Sequence, residues 1–180
     1  ARAILQDGLA YDRCTVGVVT DMDGFEGLAE FDVHEQAQMT KVLRTQVDVV
    51  LPSGAAVLNA DEPQVADLAR LCDGAVILYS ADADNPLVAA HRAHEQGRAV
   101  LVKGGNVVLA TGAAEKSLGA VSRLAFAQGA STPPVATLLA AMGAAWALDI
   151  APDLIAAGIK TFEPELPSSA TSPRTVTLPL

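Results

Sequence analysis

Cysteine, tryptophan and aromatic residues in general are what this 180-residue chain has least of: two Cys, one Trp and an aromatic fraction of 4%. Cys14 and Cys72 stand far apart, each beside apolar sequence, so they read as buried free thiols rather than as a disulfide or a metal pair. A reducing cytoplasm suits that usage. Basic residues are also few. Twelve Lys and Arg against 21 Asp and Glu leave a net charge of −9, a surface that repels phosphate backbones and acidic lipid. With no Lys/Arg cluster to offset this, neither nucleic acid nor membrane is an expected partner. No uncharged apolar run reaches the length of about 18 residues that a spanning helix needs. The opening ARAILQDGLAYDRC lacks the basic-then-apolar order of a secretory leader and reads as the middle of something longer. A GxSxG elbow and a GxxxxGK[ST] phosphate loop are both absent, so nothing here cradles a triphosphate unaided.

What the chain does have is a 51% hydrophobic content, enough for one substantial core, arranged in segments that alternate in type. CTVGVVT (14–20), AAVLN (55–59) and AVILYS (75–80) are short Val-, Leu- and Ala-rich runs bounded by turn formers, and read as buried strands. Between them, Asp32 with Glu35 as a capping-box partner predicts a helix that runs until Pro52-Ser53-Gly54 stops it. Pro63 to about Cys72 predicts a second helix with Val65, Leu68, Ala69 and Cys72 on one face. NPLVAAHRAHEQG (85–97) predicts a third, with Gly97 at its C-terminal cap. RAVLVKGGNVVLATG then offers two apolar runs joined by Gly104-Gly105, a hairpin signal.

Strand, helix, strand, helix, strand in that order implies parallel strands and right-handed crossovers. The expected fold is therefore an α/β three-layer open, mostly parallel sheet. Pro133-Pro134 introduces a long apolar helix, VATLLAAMGAAWALDI, whose small residues suit helix-on-helix packing, and PDLIAAGIKTF follows as a second. These form an Ala-rich helical C-terminal segment. Residues 163–180, with four Pro in 18, read as a Pro/Ser-rich linker or tail.

In an open α/β sheet ligands collect at the carboxyl ends of the strands, and three such ends carry polar residues: Thr20-Asp21, Asn59-Asp61 and Ser80-Asp82. Turn formation accounts for the same residues, since Asn and Asp bond to nearby backbone amides and Pro63 suits a first helical turn. Asp21, Asp23 and Glu26 supply oxygens that suit magnesium, or are simply solvated loop charge. His91 and His94, three apart on one helix with no third ligand near, read as exposed helix face, and no metal site is assigned.

GLAYDRC (8–14) with VGVVT (16–20), AAVLNADEP (55–63), CDGAVILYS (72–80) and AAWALDIAPDLIAAGIKTF (144–162) are four landmarks in one order, and together they resemble the cyanophycin synthetase family in its Mur-ligase-like part. The resemblance implies a Mur ligase central-domain-like fold, with residues 1–162 as a partial ATP-binding domain. Its phosphate loop would lie upstream and a further domain downstream. It also implies a cytoplasmic homo-oligomer that uses ATP and Mg2+ to join arginine to the aspartate side chains of an aspartate-arginine polymer. Partners would then be ATP, that polymer or its precursors, and the remainder of the same polypeptide.

By resemblance Asn59 and Asp61 help hold the nucleotide, and Thr20 and Asp21 face the phosphate-metal side; no residue is given a catalytic role. The chain also departs from the family. The loop from Thr20 to Leu28 has no His, Leu43 stands where a Lys is usual, Thr137 aligns with an Asn, and Arg2-Ala3 lacks one glycine of an Arg-Gly-Gly. A catalytically degenerate Mur-like paralogue, acting as an assembly or polymer-binding module, is the alternative these departures imply. An unrelated α/β binding module is a third reading, set against the ordered landmarks.

Overall fold

The computed structural model describes residues 1–123 and 134–161. After a short helix α1 (Arg2–Asp7), the chain builds one six-stranded sheet in sequential order: β1 (Cys14–Val19), β2 (Val50–Asn59), β3 (Ala75–Ser80), β4 (Arg98–Lys103), β5 (Asn106–Thr111) and β6 (Ala114–Ala120). The first four strands are parallel and the last two antiparallel. Crossovers of one hand between sequential parallel neighbours must leave on one face. Accordingly α2 (Gln36–Leu43), α3 (Thr45–Asp48), α4 (Pro63–Ala66) and α5 (Pro86–Arg92) share a single core with Val19, Ala56, Leu58, Leu78 and Leu101.

The opposite face carries Ala55, Val57, Ile77, Tyr79 and Val100, one residue out of phase, as the two-residue period of a strand requires. It is covered by α6 (Val135–Ala147), which crosses β1 to β4, and by α7 (Pro152–Thr161), which packs on β6. Burial of a side chain such as Leu139 or Val57, both inaccessible to solvent, contributes about 1.5–3 kcal/mol each. The three-layer α/β expectation therefore holds.

Four local expectations do not. The helix foreseen from Asp32 begins at Glu35 instead: Asp32 sits at φ 59°, whereas Glu35 and Gln38 form the capping box. That helix also ends well before Pro52. Pro52, Ser53 and Gly54 lie inside β2, where the register with β1 jumps from Cys14–Val50 to Val16–Ala55, and such a bulge tolerates a residue that cannot donate to the ladder. Gly97 does not cap α5, which stops at Arg92; a Cβ there would come within 2.0 Å of the His91 carbonyl oxygen.

β6 was not foreseen at all, because its first four residues are exposed and show no alternation. The small residues of α6 serve helix-on-sheet rather than helix-on-helix packing, with Gly143 against Val57. The Gly104-Gly105 hairpin is as expected, with φ of +56° and +74° between the paired Lys103 and Asn106. Residues 163–180, read as a tail, lie outside the described residues.

At the amino-terminal end of the parallel strands backbones approach closely. A Cβ on Gly54 would stand 2.2 Å from the Thr15 carbonyl oxygen, and one on Gly74 would stand 2.5 Å from that of Gly54. The buried polar residues among those described, Asn59, Ser80 and Asn85, lie at the other end.

Candidate functional site at the carboxyl ends of the parallel strands

Parallel strands deliver their carboxyl ends to one edge, and here that edge brings together Thr20-Asp21 after β1, Asn59-Ala60-Asp61 after β2 and Ser80-Ala81-Asp82 after β3. Asn59, although polar, is 7% exposed. Burying a carboxamide is tolerable only when its donors and acceptors find partners. Its Nδ2 donates to the Thr20 carbonyl oxygen at 2.8 Å, and its Oδ1 accepts from the Asp61 amide at 3.0 Å. Asn59 thus ties the end of β1 to the end of β2 while forming the turn into α4.

Asp61 makes the next link. Its Oδ1 accepts from the Ser80 hydroxyl and from Asn85 Nδ2, the latter at 3.2 Å, and its Oδ2 accepts from the Ala81 amide at 2.9 Å. Asn85, itself buried, uses Nδ2 on the Ala60 carbonyl at 3.0 Å and Oδ1 to cap α5 at the Leu87 and Val88 amides. Ser80 Oγ accepts from the Asp82 amide at 2.9 Å. One continuous network of side chains therefore joins the ends of three strands and the start of α5. Sequence reasoning singled out Asn59 and Asp61 but missed Asn85, whose only signal was an Asn directly before Pro86.

Thr20 and Asp21 are exposed and pair locally, Thr20 Oγ1 to Asp21 Oδ2 at 2.7 Å, while Asp21 Oδ1 accepts from the Asp23 amide at 3.1 Å. Met22 between them is buried at 1% and anchors the loop in the core, so the carboxylates on either side of it stand in solvent. Among the described residues no three His, Cys, Asp or Glu are grouped to hold a metal. Magnesium does not require such a cage, since it is commonly held by one or two carboxylates together with phosphate and water; Asp21 offers one.

The other candidates lie away from this edge. His91 is half-buried rather than exposed, donating from Nε2 to the Val76 carbonyl at 3.2 Å; burial pushes its pKa below 6.5, against the raising effect of backbone bonds to Val76 and Arg98. His94 is exposed. Cys14 and Cys72 are free, as expected, yet only half-buried, and burial followed by the charge of Cys72 raises the pKa of Cys14. Leu43 is 7% exposed and part of the core, and Lys41 points to solvent. Clefts of about 480, 360 and 400 Å3 flank α5 and α4 on the crossover face. No helix among the described residues is long and apolar enough to cross a membrane.

No family model matches the chain. It is 35% identical over 161 residues to cyanophycin synthetase of Synechocystis sp., an alignment covering 88% of this chain. The enzymes of the same name from Geminocystis herdmanii and Crocosphaera subtropica are 33% and 31% identical over 89% of it. The chain spans 18% of the length of these relatives. Among solved structures, UDP-N-acetylmuramate:L-alanyl-gamma-D-glutamyl-meso-diaminopimelate ligase from Neisseria meningitides aligns with 73% of this chain and 36% of its own, at 13% identity and a TM-score of 0.47.

Proposed function

We propose that this chain, a homologue of cyanophycin synthetase over about a fifth of that protein's length, corresponds to its Mur-ligase-like part and forms the strand-edge portion of an ATP-dependent amide ligase that joins arginine to aspartate side chains of a polymer. Such a ligase activates the carboxylate as an acyl phosphate, which the incoming amine then attacks. The nucleotide lies along the carboxyl ends of β1 to β3, with Asn59 and Asp61 on its side of the edge and Thr20 and Asp21 toward phosphate and magnesium. The enzyme works in the cytoplasm as a homo-oligomer.

The observation that carries this reading is the coupling of three parallel strand ends through Asn59 and Asp61, at the edge where α/β sheets bind ligands. A rigid, pre-formed edge lowers the entropic cost of ordering a bound nucleotide. Because Asn59 already uses one amide hydrogen and one carbonyl lone pair on the protein, its part is to fix the edge and offer only what remains.

The degenerate-paralogue reading has its own support: Leu43, aligned with the family's Lys, lies in the core and supplies no charge to the edge. Phosphoryl transfer depends chiefly on positioned charge, so catalysis would suffer before binding did. Calorimetric titration of the full chain with magnesium-ATP separates the two outcomes. Binding heat that weakens in Asn59→Ala, with the fold checked by circular dichroism, supports the ligase reading; absence of heat in the unaltered chain overturns it.

A further inference from the structure

Tyr79 is the penultimate residue of β3, paired with Asn59 on one side and Val100 on the other. Its side chain is wholly inaccessible and belongs to the core cluster that includes Leu138 and Leu139 in the first turns of α6. Among the described residues the hydroxyl has no hydrogen-bond partner. A buried polar atom without a partner is destabilising, and a phenylalanine would fill the same space without that cost.

The surroundings supply a reason for the hydroxyl. Arg98, at the start of β4, donates from Nη2 to the Trp146 carbonyl near the end of α6 at 3.0 Å, so α6 runs against the parallel strands. Its amino terminus therefore comes to the edge where β1 to β3 end. Among the described residues no side chain caps that terminus, which follows Pro134 and is the positive end of a 13-residue helix. Burial, followed by the carboxylates of Asp21, Asp61 and Glu62, raises the Tyr79 pKa and keeps the hydroxyl protonated; as the ladder partner of Asn59, packed with Leu138 and Leu139, Tyr79 stands at this same edge under the first turns of α6. The hydroxyl is a donor, the helix amides are donors, and a ligand held between them must bring acceptors.

We propose that the Tyr79 hydroxyl donates a hydrogen bond to an acceptor atom of the nucleotide bound between the start of α6 and the ends of β2 and β3. This rests on the nucleotide reading given above and assigns a specific contact within it. Tyr79 is then a binding residue with a stability penalty in the empty protein that the ligand relieves.

The decisive variant is Tyr79→Phe, which removes one oxygen and keeps the packing. In calorimetric titrations of the full chain, magnesium-ATP should bind about three- to tenfold more weakly to Tyr79→Phe, the range expected for loss of one hydrogen bond. The urea midpoint of the ligand-free variant should be equal or higher. Adenosine as a second probe locates the acceptor: the same loss with adenosine assigns it to the base or ribose, and a loss confined to ATP assigns it to the phosphates. Equal magnesium-ATP affinity in the unaltered chain and Tyr79→Phe overturns this inference and leaves the ligase reading standing. No binding by the unaltered chain overturns both.

Discussion

Asn59 Nδ2 lies 2.8 Å from the carbonyl oxygen of Thr20, thirty-nine residues earlier in the chain, and this bond closes the carboxyl end of β2 onto that of β1. Replacing Asn59 by Asp keeps the shape but turns a donor into an acceptor facing a carbonyl. The expected cost is about 1–3 kcal/mol at neutral pH, read as a lower urea midpoint with an unchanged slope. A midpoint equal to that of the unaltered chain would show that this bond does not hold the edge together.

Asp61 and Asn85 meet at 3.2 Å within one network, so their removal should not be additive. In a cycle of Asp61→Ala, Asn85→Ala and the double variant, a coupling of about 0.5–3 kcal/mol is expected from equilibrium unfolding. Additive losses would mean that Asn85 acts only as the cap of α5.

Gly143 faces Val57 so closely that an added Cβ would stand 2.7 Å from Val57 Cγ1. Alanine favours a helix over glycine by about 1 kcal/mol, while overpacking a tight contact costs about 1–3 kcal/mol. The balance for Gly143→Ala is destabilising, because the contact lies in a fully buried layer. Adding Val57→Ala should make the Gly143→Ala step neutral or favourable, as thermal melts of the four proteins would show.

The Arg98 guanidinium sits 4.1 Å from the centre of the Trp146 ring and also donates to the Trp146 carbonyl. Since Trp146 is the sole tryptophan, its fluorescence reports this junction without interference. Arg98→Ala should shift the emission and lower stability by about 1–3 kcal/mol. Arg98→Lys should recover only part of this, because an ammonium lacks the planar face that stacks on indole. Full recovery by lysine would argue that charge alone matters.

Acidification provides a further check through His91. Burial lowers its pKa in the folded protein below the ordinary 6.5, so between those two values the unfolded chain binds a proton that the folded chain refuses. Stability from this group is therefore complete above about pH 6.5 and falls as the pH drops below it. His91→Gln should flatten the stability profile from pH 7 to 5. Glu115, whose pKa is lowered by bonds to Lys103 and Arg92, acts in the same direction but only below its ordinary 4.5. An unchanged slope between pH 7 and 5 in His91→Gln would exclude the imidazole as its source.

The parallel half of the sheet was legible because each strand is a short apolar run closed by turn formers, and β3 runs over the six residues expected, Ala75–Ser80. The helical face after Pro63 was legible from its spacing of three and four, with Val65 and Leu68 both buried, although α4 itself stops at Ala66 and the expected stretch to Cys72 continues as a 3₁₀-helix, Asp67–Leu71. β6 was not, since its first four residues are exposed on both faces and so carry no apolar alternation, and Glu115 and Lys116 conceal it. Composition revealed which strand ends were polar. It did not reveal how they were wired: the bond from Asn59 to Thr20 depends on strand adjacency, a property of topology rather than of local sequence. Tyr79 was hidden for a different reason, as an aromatic in a strand is unremarkable until its hydroxyl is found without a partner.

The close backbone contacts of Gly54 and Gly74 have a bearing on how this sheet can change over time. At these two positions no side chain larger than hydrogen fits without moving a neighbouring main chain, whereas at the opposite pole the loop after β1 is anchored by Met22 and its flanking carboxylates stand in solvent. Inheritance should therefore hold these two glycines fixed while the exposed positions of the opposite loops drift, so that new specificities arise by rewriting loops above a constrained backbone crossing.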